Sequence, residues 1–181
     1  MSGAASLTTL LLRLHSDGRV VETQRPIAVE TPVAIEVNGI GYAVMMTTPA
    51  DLVDFATGFM LSERLVSSAA QIRAIDAAQV ISGWIVRIAL DADAAEPVLE
   101  RARMRVAESS CGLCGLENLE QLARPLPTIK ARPRLDDGAI FRALSALGER
   151  QPLSQETGAV HAAAFCLADG SIRTVREDVG R

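Results

Sequence analysis

The dipeptide Asn38-Gly39 constrains this chain more than any other local feature. It separates two apolar runs, Val33-Ala34-Ile35-Glu36-Val37 and Ile40-Gly41-Tyr42-Ala43-Val44-Met45-Met46. A two-residue type I′ loop needs positive φ at both central positions, which Asn and Gly adopt at least cost. The sequence therefore predicts an antiparallel hairpin here, with its first strand over 32–37 and a further strand over 19–30. Residues 1–19 read as a loosely held lead-in that ends at Asp17-Gly18. After the hairpin, Thr48-Pro49-Ala50-Asp51 carries a helix-start pattern, with Thr48 as N-cap, Pro49 as first helical residue and Asp51 as the acid of a capping box. Leu52, Phe55, Ala56, Phe59 and Met60 follow at helical spacing, so a helix is expected over 49–66. A strand over 79–90, a helix near 96–103 and a short strand around 104–107 come next.

Composition bounds the class. With 181 residues, 49% of them hydrophobic and 22% charged, the chain has the makings of a folded core rather than of a disordered polymer. The net charge of −4 gives no basic footprint for nucleic acid, and 3% aromatic content gives no stacking platform for single strands. The longest run of leucines, Leu10-Leu11-Leu12, is broken at Arg13, far short of a membrane span. Met1-Ser2-Gly3-Ala4-Ala5 lacks the basic residue of a secretory leader. The expectation is a cytoplasmic protein that binds neither nucleic acid nor membrane.

Residues 123–134 hold three prolines and four basic residues, which suits a linker and neither a helix interior nor a central strand. The expected organisation is a lead-in (1–19), an α+β N-terminal domain with β-hairpins and a capped helix (20–107), a cysteine loop with a short helix and linker (108–134), and a second unit (135–181). In that unit Asp136 or Asp137 caps a helix bearing Ile140, Phe141, Leu144 and Leu147. Strands over 160–167 and 171–177 then pair across Ala168-Asp169-Gly170.

Chemistry concentrates in Ser109-Ser110-Cys111-Gly112-Leu113-Cys114-Gly115. Three cysteines, Cys111, Cys114 and Cys166, in a chain without an export signal speak for metal, redox or nucleophilic chemistry rather than a disulfide framework. Each thiol of the C-x-x-C is followed by glycine, and the pair precedes a helical pattern whose positive end favours thiolate. A zinc module would need Cys111, Cys114, His161 and Cys166 as ligands. A dithiol oxidoreductase would place the pair just after a strand, which the polar Glu108-Ser109-Ser110 lead-in fits poorly. A zinc deaminase needs H-x-E and P-C-x-x-C, whereas Ala162-Ala163 follow His161 and Ser110 precedes Cys111. Sulfur carriage remains: a thiolate takes up sulfane sulfur as a persulfide and needs only access to pass it on. Two further segments stand out. Thr157-Gly158-Ala159-Val160-His161 reads as a tight approach to a strand with a hydrogen-bonded histidine. Arg176-Glu177-Asp178-Val179-Gly180-Arg181 reads as a charged strand end.

Taken together, Glu36-Val37-Asn38-Gly39, Thr48-Pro49-Ala50-Asp51, Thr57-Gly58-Phe59-Met60-Leu61-Ser62-Glu63, Ser109 to Gly115, Thr157 to His161 and Glu177 to Arg181 resemble the FdhD family, the accessory sulfurtransferases of formate dehydrogenase maturation. The segments occur in the family's order over about residues 30–181. The resemblance implies a sulfur carrier that accepts sulfur from a cysteine desulfurase. It would deliver that sulfur to the molybdenum or tungsten of a bis-molybdopterin guanine dinucleotide cofactor for formate dehydrogenase, with a guanine nucleotide able to mimic the cofactor. Cys111 would bear the persulfide and Cys114 would be a second acceptor or resolving thiol. Thr157, Gly158, His161, Glu177, Asp178, Gly180 and Arg181 would face the cofactor. The second unit would open a cytidine-deaminase-like α/β sandwich without its zinc, and the protein would form a homodimer. Ala159 stands where the family usually has glycine, which a negative φ tolerates. The family pattern also continues past Gly180-Arg181 into His-Asn and a helix. The 135–181 unit is therefore expected to be only the opening of its domain, and cofactor binding by these residues alone to be impaired.

Overall fold

The computed structural model describes residues 3–104, 128–131 and 134–180. Its central sheet is built from the third to sixth strands of the chain, ordered fourth, third, sixth, fifth. β3 (Thr31–Val37) and β4 (Ile40–Thr47) form the expected hairpin, closing with Val37 opposite Ile40. Asn38 and Gly39 take φ of 47° and 81°, as a type I′ loop requires. The Asn38 amide does a second job. Its Oδ1 accepts the Leu90 N–H at 2.8 Å and its Nδ2 donates to the Leu90 carbonyl at 3.2 Å, while the Asn38 N–H reaches the Ile88 carbonyl at 2.9 Å. The turn is thereby tied to the far end of β6 (Gly83–Leu90), which runs parallel to β3.

Alternation on these two strands builds the core. Val33, Ile35 and Val37 on β3 lie beside Trp84, Val86 and Ile88 on β6, all buried on one face. The opposite face carries Glu36 and Arg87, paired at 3.5 Å, with Asp76 at 3.6 Å from the same guanidinium. Helices α1 (Leu52–Ser62) and α2 (Ala92–Met104) cover the apolar face. α1 contributes Leu52, Ala56 and Met60, and α2 contributes Ala95 and Val98. With few aromatic residues, the ring contacts are confined to the Tyr42–Phe59 edge-to-face pair and Phe55 beside it among the described residues.

Three expectations are corrected here, and a fourth falls almost wholly outside the described residues. Ser6–Leu14, expected within a loose lead-in, forms β1, which pairs antiparallel with β2 (Val20–Ala28). Its leucines run without clean alternation, so the signal lay in the turn. There Gly18 donates to the His15 carbonyl, and Asp17 accepts from the Arg19 backbone and guanidinium. The strand expected over 79–90 is two, β5 (Ile72–Val80) and β6, joined through Ile81-Ser82 in a tight turn that the apolar flanks masked. The helix expected over 49–66 is shorter at both ends. It starts at Leu52 after Asp51, whose φ is 48° and whose side chain makes no capping bond; Thr48 is not the cap. It stops because the Leu65 and Val66 N–H groups both fold back onto the Met60 carbonyl, burying those two side chains. The short strand expected around 104–107 is not begun at Met104, which closes α2; residues 105–107 lie outside those described.

The second unit follows its pattern more closely. Asp136 caps α3 (Asp137–Leu147), accepting the Gly138 N–H at 3.1 Å. A single 3₁₀ turn leads to α4 (Pro152–Thr157), a short helix the periodicity did not reveal, with Pro152 in the first-turn position that proline favours. β7 (His161–Cys166) and β8 (Ile172–Asp178) then form the expected hairpin. Arg142 of α3 donates to the Asp169 carbonyl in its turn, which fastens helix to hairpin. Ile140, Phe141 and Leu144 of α3 remain more than half exposed. Mixed α/β architecture with several hairpins is thus what the chain adopts.

Two predictions follow from this frame. Asn38→Ala loses the tolerance of left-handed backbone that asparagine's polar side chain provides and strands both Leu90 polar groups, so urea unfolding should show a loss of about 2–4 kcal/mol. Asn38→Gly removes only the amide bonds and should cost roughly half as much. At α3, the Arg142 hydrogen bond, helped by the Gly138 N–H, holds the Asp136 carboxyl below the usual carboxylate range. A carboxyl with a depressed folded-state pKa contributes stability at pH values above its unfolded value and loses it as the pH falls through the folded one. Protection of the first-turn amides of α3, taken as exchange relative to the intrinsic rate at each pH, should therefore fall on acidification below that range, and Asp136→Asn should remove that fall.

Candidate functional site

The described members of the motif set gather at one end of the β7–β8 hairpin, opposite its turn. Thr157 ends α4, and its buried hydroxyl donates to the Leu153 carbonyl at 2.7 Å. Gly158 closes that helix in left-handed backbone (φ 67°), donating to the Ser154 carbonyl at 2.7 Å. A β-carbon there would lie 3.3 Å from the Arg25 guanidinium, which itself donates to the Thr157 carbonyl at 3.0 Å. The chain then passes through Ala159 into β7. Ala159 is not among the described residues with positive φ, so the methyl group in place of glycine is accommodated. His161 opens β7 with its side chain exposed and stands opposite Asp178 in the ladder.

The end of β8 is held by three side chains in succession. Arg176 pairs with Asp54 and lies 3.3 Å from Asp51, both at the start of α1. The hydrogen bond to Asp54, reinforced by the charge of Asp51, raises the Arg176 pKa above its ordinary value. Glu177 accepts the Leu153 and Ser154 N–H groups at 3.0 and 2.8 Å, closing the first turn of α4. Asp178 accepts from the Thr47 hydroxyl, the Thr48 N–H at 3.2 Å and the Gly180 N–H at 2.6 Å. Val179 donates to the Thr48 hydroxyl at 3.1 Å. Thr47 and Thr48 are both buried, so these partners satisfy groups that would otherwise be costly to desolvate. Sequence reading missed this receptor because Thr48 looked like a local helix cap.

Cys111, Cys114 and Arg181 lie outside the described residues. The zinc set of Cys111, Cys114, His161 and Cys166 is disfavoured by β7 itself. His161 and Cys166 are five residues apart on one strand, so their α-carbons stand about 16 Å apart with side chains on opposite faces. Cys166 lines the apolar groove against α3 with Ala164, whereas His161 shares its face with Ala163 and Phe165. One tetrahedral ion with bonds of about 2.0–2.3 Å cannot take both. Among the described residues, no group of three or more His, Cys, Asp or Glu side chains is placed to hold a metal. Nor is any described helix long and apolar enough to cross a membrane.

The chain is similar to known proteins along most of its length. The chain is 42% identical over 170 residues to the sulfur carrier protein FdhD of Xanthomonas campestris pv. campestris (strain B100), a match covering 94% of this chain and 60% of that protein. It is 42% identical over 155 residues to the sulfur carrier protein FdhD of Variovorax paradoxus (strain S110), covering 86% and 56%. The chain thus spans about three-fifths of the length of these relatives. Its fold matches the crystal structure of a putative formate dehydrogenase accessory protein from Desulfotalea psychrophila. That match has a TM-score of 0.70 at 22% identity, over 98% of this chain and 64% of that one. The sequence profile of the FdhD/NarQ family matches residues 28–181, which take in the Asn38-Gly39 hairpin, the paired cysteines and the end of β8. The chain belongs to the FdhD/NarQ family.

Proposed function

We propose that the protein is a sulfur carrier in formate dehydrogenase maturation, with Cys111 as the residue that carries the sulfur. The observation that carries this reading is the C-x-x-C pair, Cys111 and Cys114, each followed by glycine, within a chain whose family match spans residues 28–181. The names of its relatives, sulfur carrier protein FdhD, support the same class of chemistry.

In the first step the Cys111 thiolate attacks the terminal sulfur of a cysteine persulfide on a cysteine desulfurase. The S–S bond of the donor breaks, a new S–S bond forms at Cys111, and the donor's cysteine leaves as a thiolate, so no external oxidant is required. Cys114 serves as a second acceptor or as the resolving thiol: its thiolate attacks the inner sulfur at Cys111, the persulfide S–S bond breaks, a Cys111–Cys114 disulfide forms and the outer sulfur leaves as hydrosulfide. The acceptor is the molybdenum or tungsten of a bis-molybdopterin guanine dinucleotide, bound as substrate before its insertion into formate dehydrogenase. On the second unit, the exposed His161 and the backbone around Gly158 and Gly180 are the described motif groups open to such a ligand, with Arg181 beside them in sequence. The α3, α4, β7, β8 order is in keeping with the opening of a cytidine-deaminase-like sandwich, and the carrier acts in the cytoplasm as a homodimer.

The test is direct. After incubation with a cysteine desulfurase and cysteine, the intact mass of the chain should rise by one sulfur atom, and reduction should remove it. Cys111→Ala should abolish most of the adduct and Cys114→Ala should alter its yield or lifetime. An undiminished adduct in the double variant would exclude this site.

A further inference from the structure

Two sequence segments that each read as a local feature, residues 47–51 and 176–180, lie against one another although about 130 positions separate them. The pairing is reciprocal. Thr48 gives its N–H to Asp178 and takes the N–H of Val179 on its hydroxyl, in the manner of a one-residue ladder made through side chains. The adjacent Thr47 hydroxyl donates to the same Asp178 oxygen. The second Asp178 oxygen is taken by Gly180. Both Glu177 oxygens are taken by the α4 first turn, and Arg176 is taken by Asp54 and Asp51. Every charged side chain of the Arg-Glu-Asp run is therefore committed to another part of the protein.

We infer that Glu177 and Asp178 are positioning residues rather than ligand contacts, and that Thr47-Thr48 is the receptor that seats the end of β8 on the entry to α1. Three considerations carry this. Asp178 has three donors within reach, which uses most of the acceptor capacity a carboxylate offers. Thr48 is wholly buried, so its hydroxyl cannot turn to solvent for an alternative partner. Asp51, at the helix start, holds left-handed backbone without capping its own helix, and its carboxylate lies beside Arg176 instead. The seat fixes His161 as well, because His161 is the cross-strand partner of Asp178. The exposed imidazole is thereby set relative to α1 by groups that never touch what it faces. This assignment stands independently of the sulfur chemistry.

Backbone amide exchange on the full chain reads each contact separately. Asp178→Ala should speed exchange at Thr48 and Gly180 by about tenfold or more, the scale of a lost charge-assisted hydrogen bond, and leave Leu153 and Ser154 unchanged. Glu177→Ala should do the converse. Thr48→Ser keeps the hydroxyl and should preserve slow exchange at Val179, whereas Thr48→Val should lose it. That pair decides the matter even if a carboxylate variant fails to fold. Wild-type exchange at all five amides in the variants would overturn the inference, and so would weakened guanosine diphosphate binding in Glu177→Ala or Asp178→Ala without any exchange change. Failure of the wild-type chain to bind that nucleotide would count against the proposed cofactor, while the exchange rates would still decide the role of the two carboxylates.

Discussion

The parallel pairing of β3 with β6 is the constraint from which the remaining structure hangs. Parallel neighbours cannot be joined by a tight turn, so the chain between them must leave the sheet and return. Here the chain runs through the outer strands β4 and β5 with α1 as the excursion off the sheet between them, and the return is locked by one amide. Asn38 bonds both backbone groups of Leu90, which pins the end of β3 to the end of β6 and prevents a register slip. That register sets Val33 beside Trp84 and Ile35 beside Val86, on the face that α1 and α2 close. A slip of one residue would exchange this face for that of Glu36 and Arg87.

Features fixed by near neighbours in sequence were legible; those fixed across the fold were not. The Asn38-Gly39 turn, the Asp136 cap and the β7–β8 hairpin each depend on residues within a few positions, and each stands where the pattern puts it. β1 escaped notice because its strand character comes from its ladder with β2, not from alternation in its own side chains. Thr48 was misread for a related reason. A threonine before proline has the local chemistry of an N-cap, but a partner from residue 179 competes for its hydroxyl and wins. The same limit applies to the candidate site. The type of residue at 157, 158, 161, 177, 178 and 180 marked the region, whereas which groups face outward emerged only from the contacts.

The site so described divides labour between two kinds of group. Thr157, Glu177 and Asp178 direct their polar atoms to the protein, which ties α4, β7 and β8 together at this end. His161 is left exposed on that platform.

The seam between Thr48 and Asp178 also bears on how the molecule comes to be folded. Joining positions 130 apart costs on the order of 4 kcal/mol in chain entropy, with two or three hydrogen bonds in return, so it cannot nucleate anything. The hairpins, which close over a few residues on the microsecond scale, can assemble first and leave the two halves to meet as preformed bodies. During synthesis the threonines emerge long before their acid does. The amino-terminal half must therefore persist for a time with a polar notch awaiting its occupant, until the β8 tip docks on it.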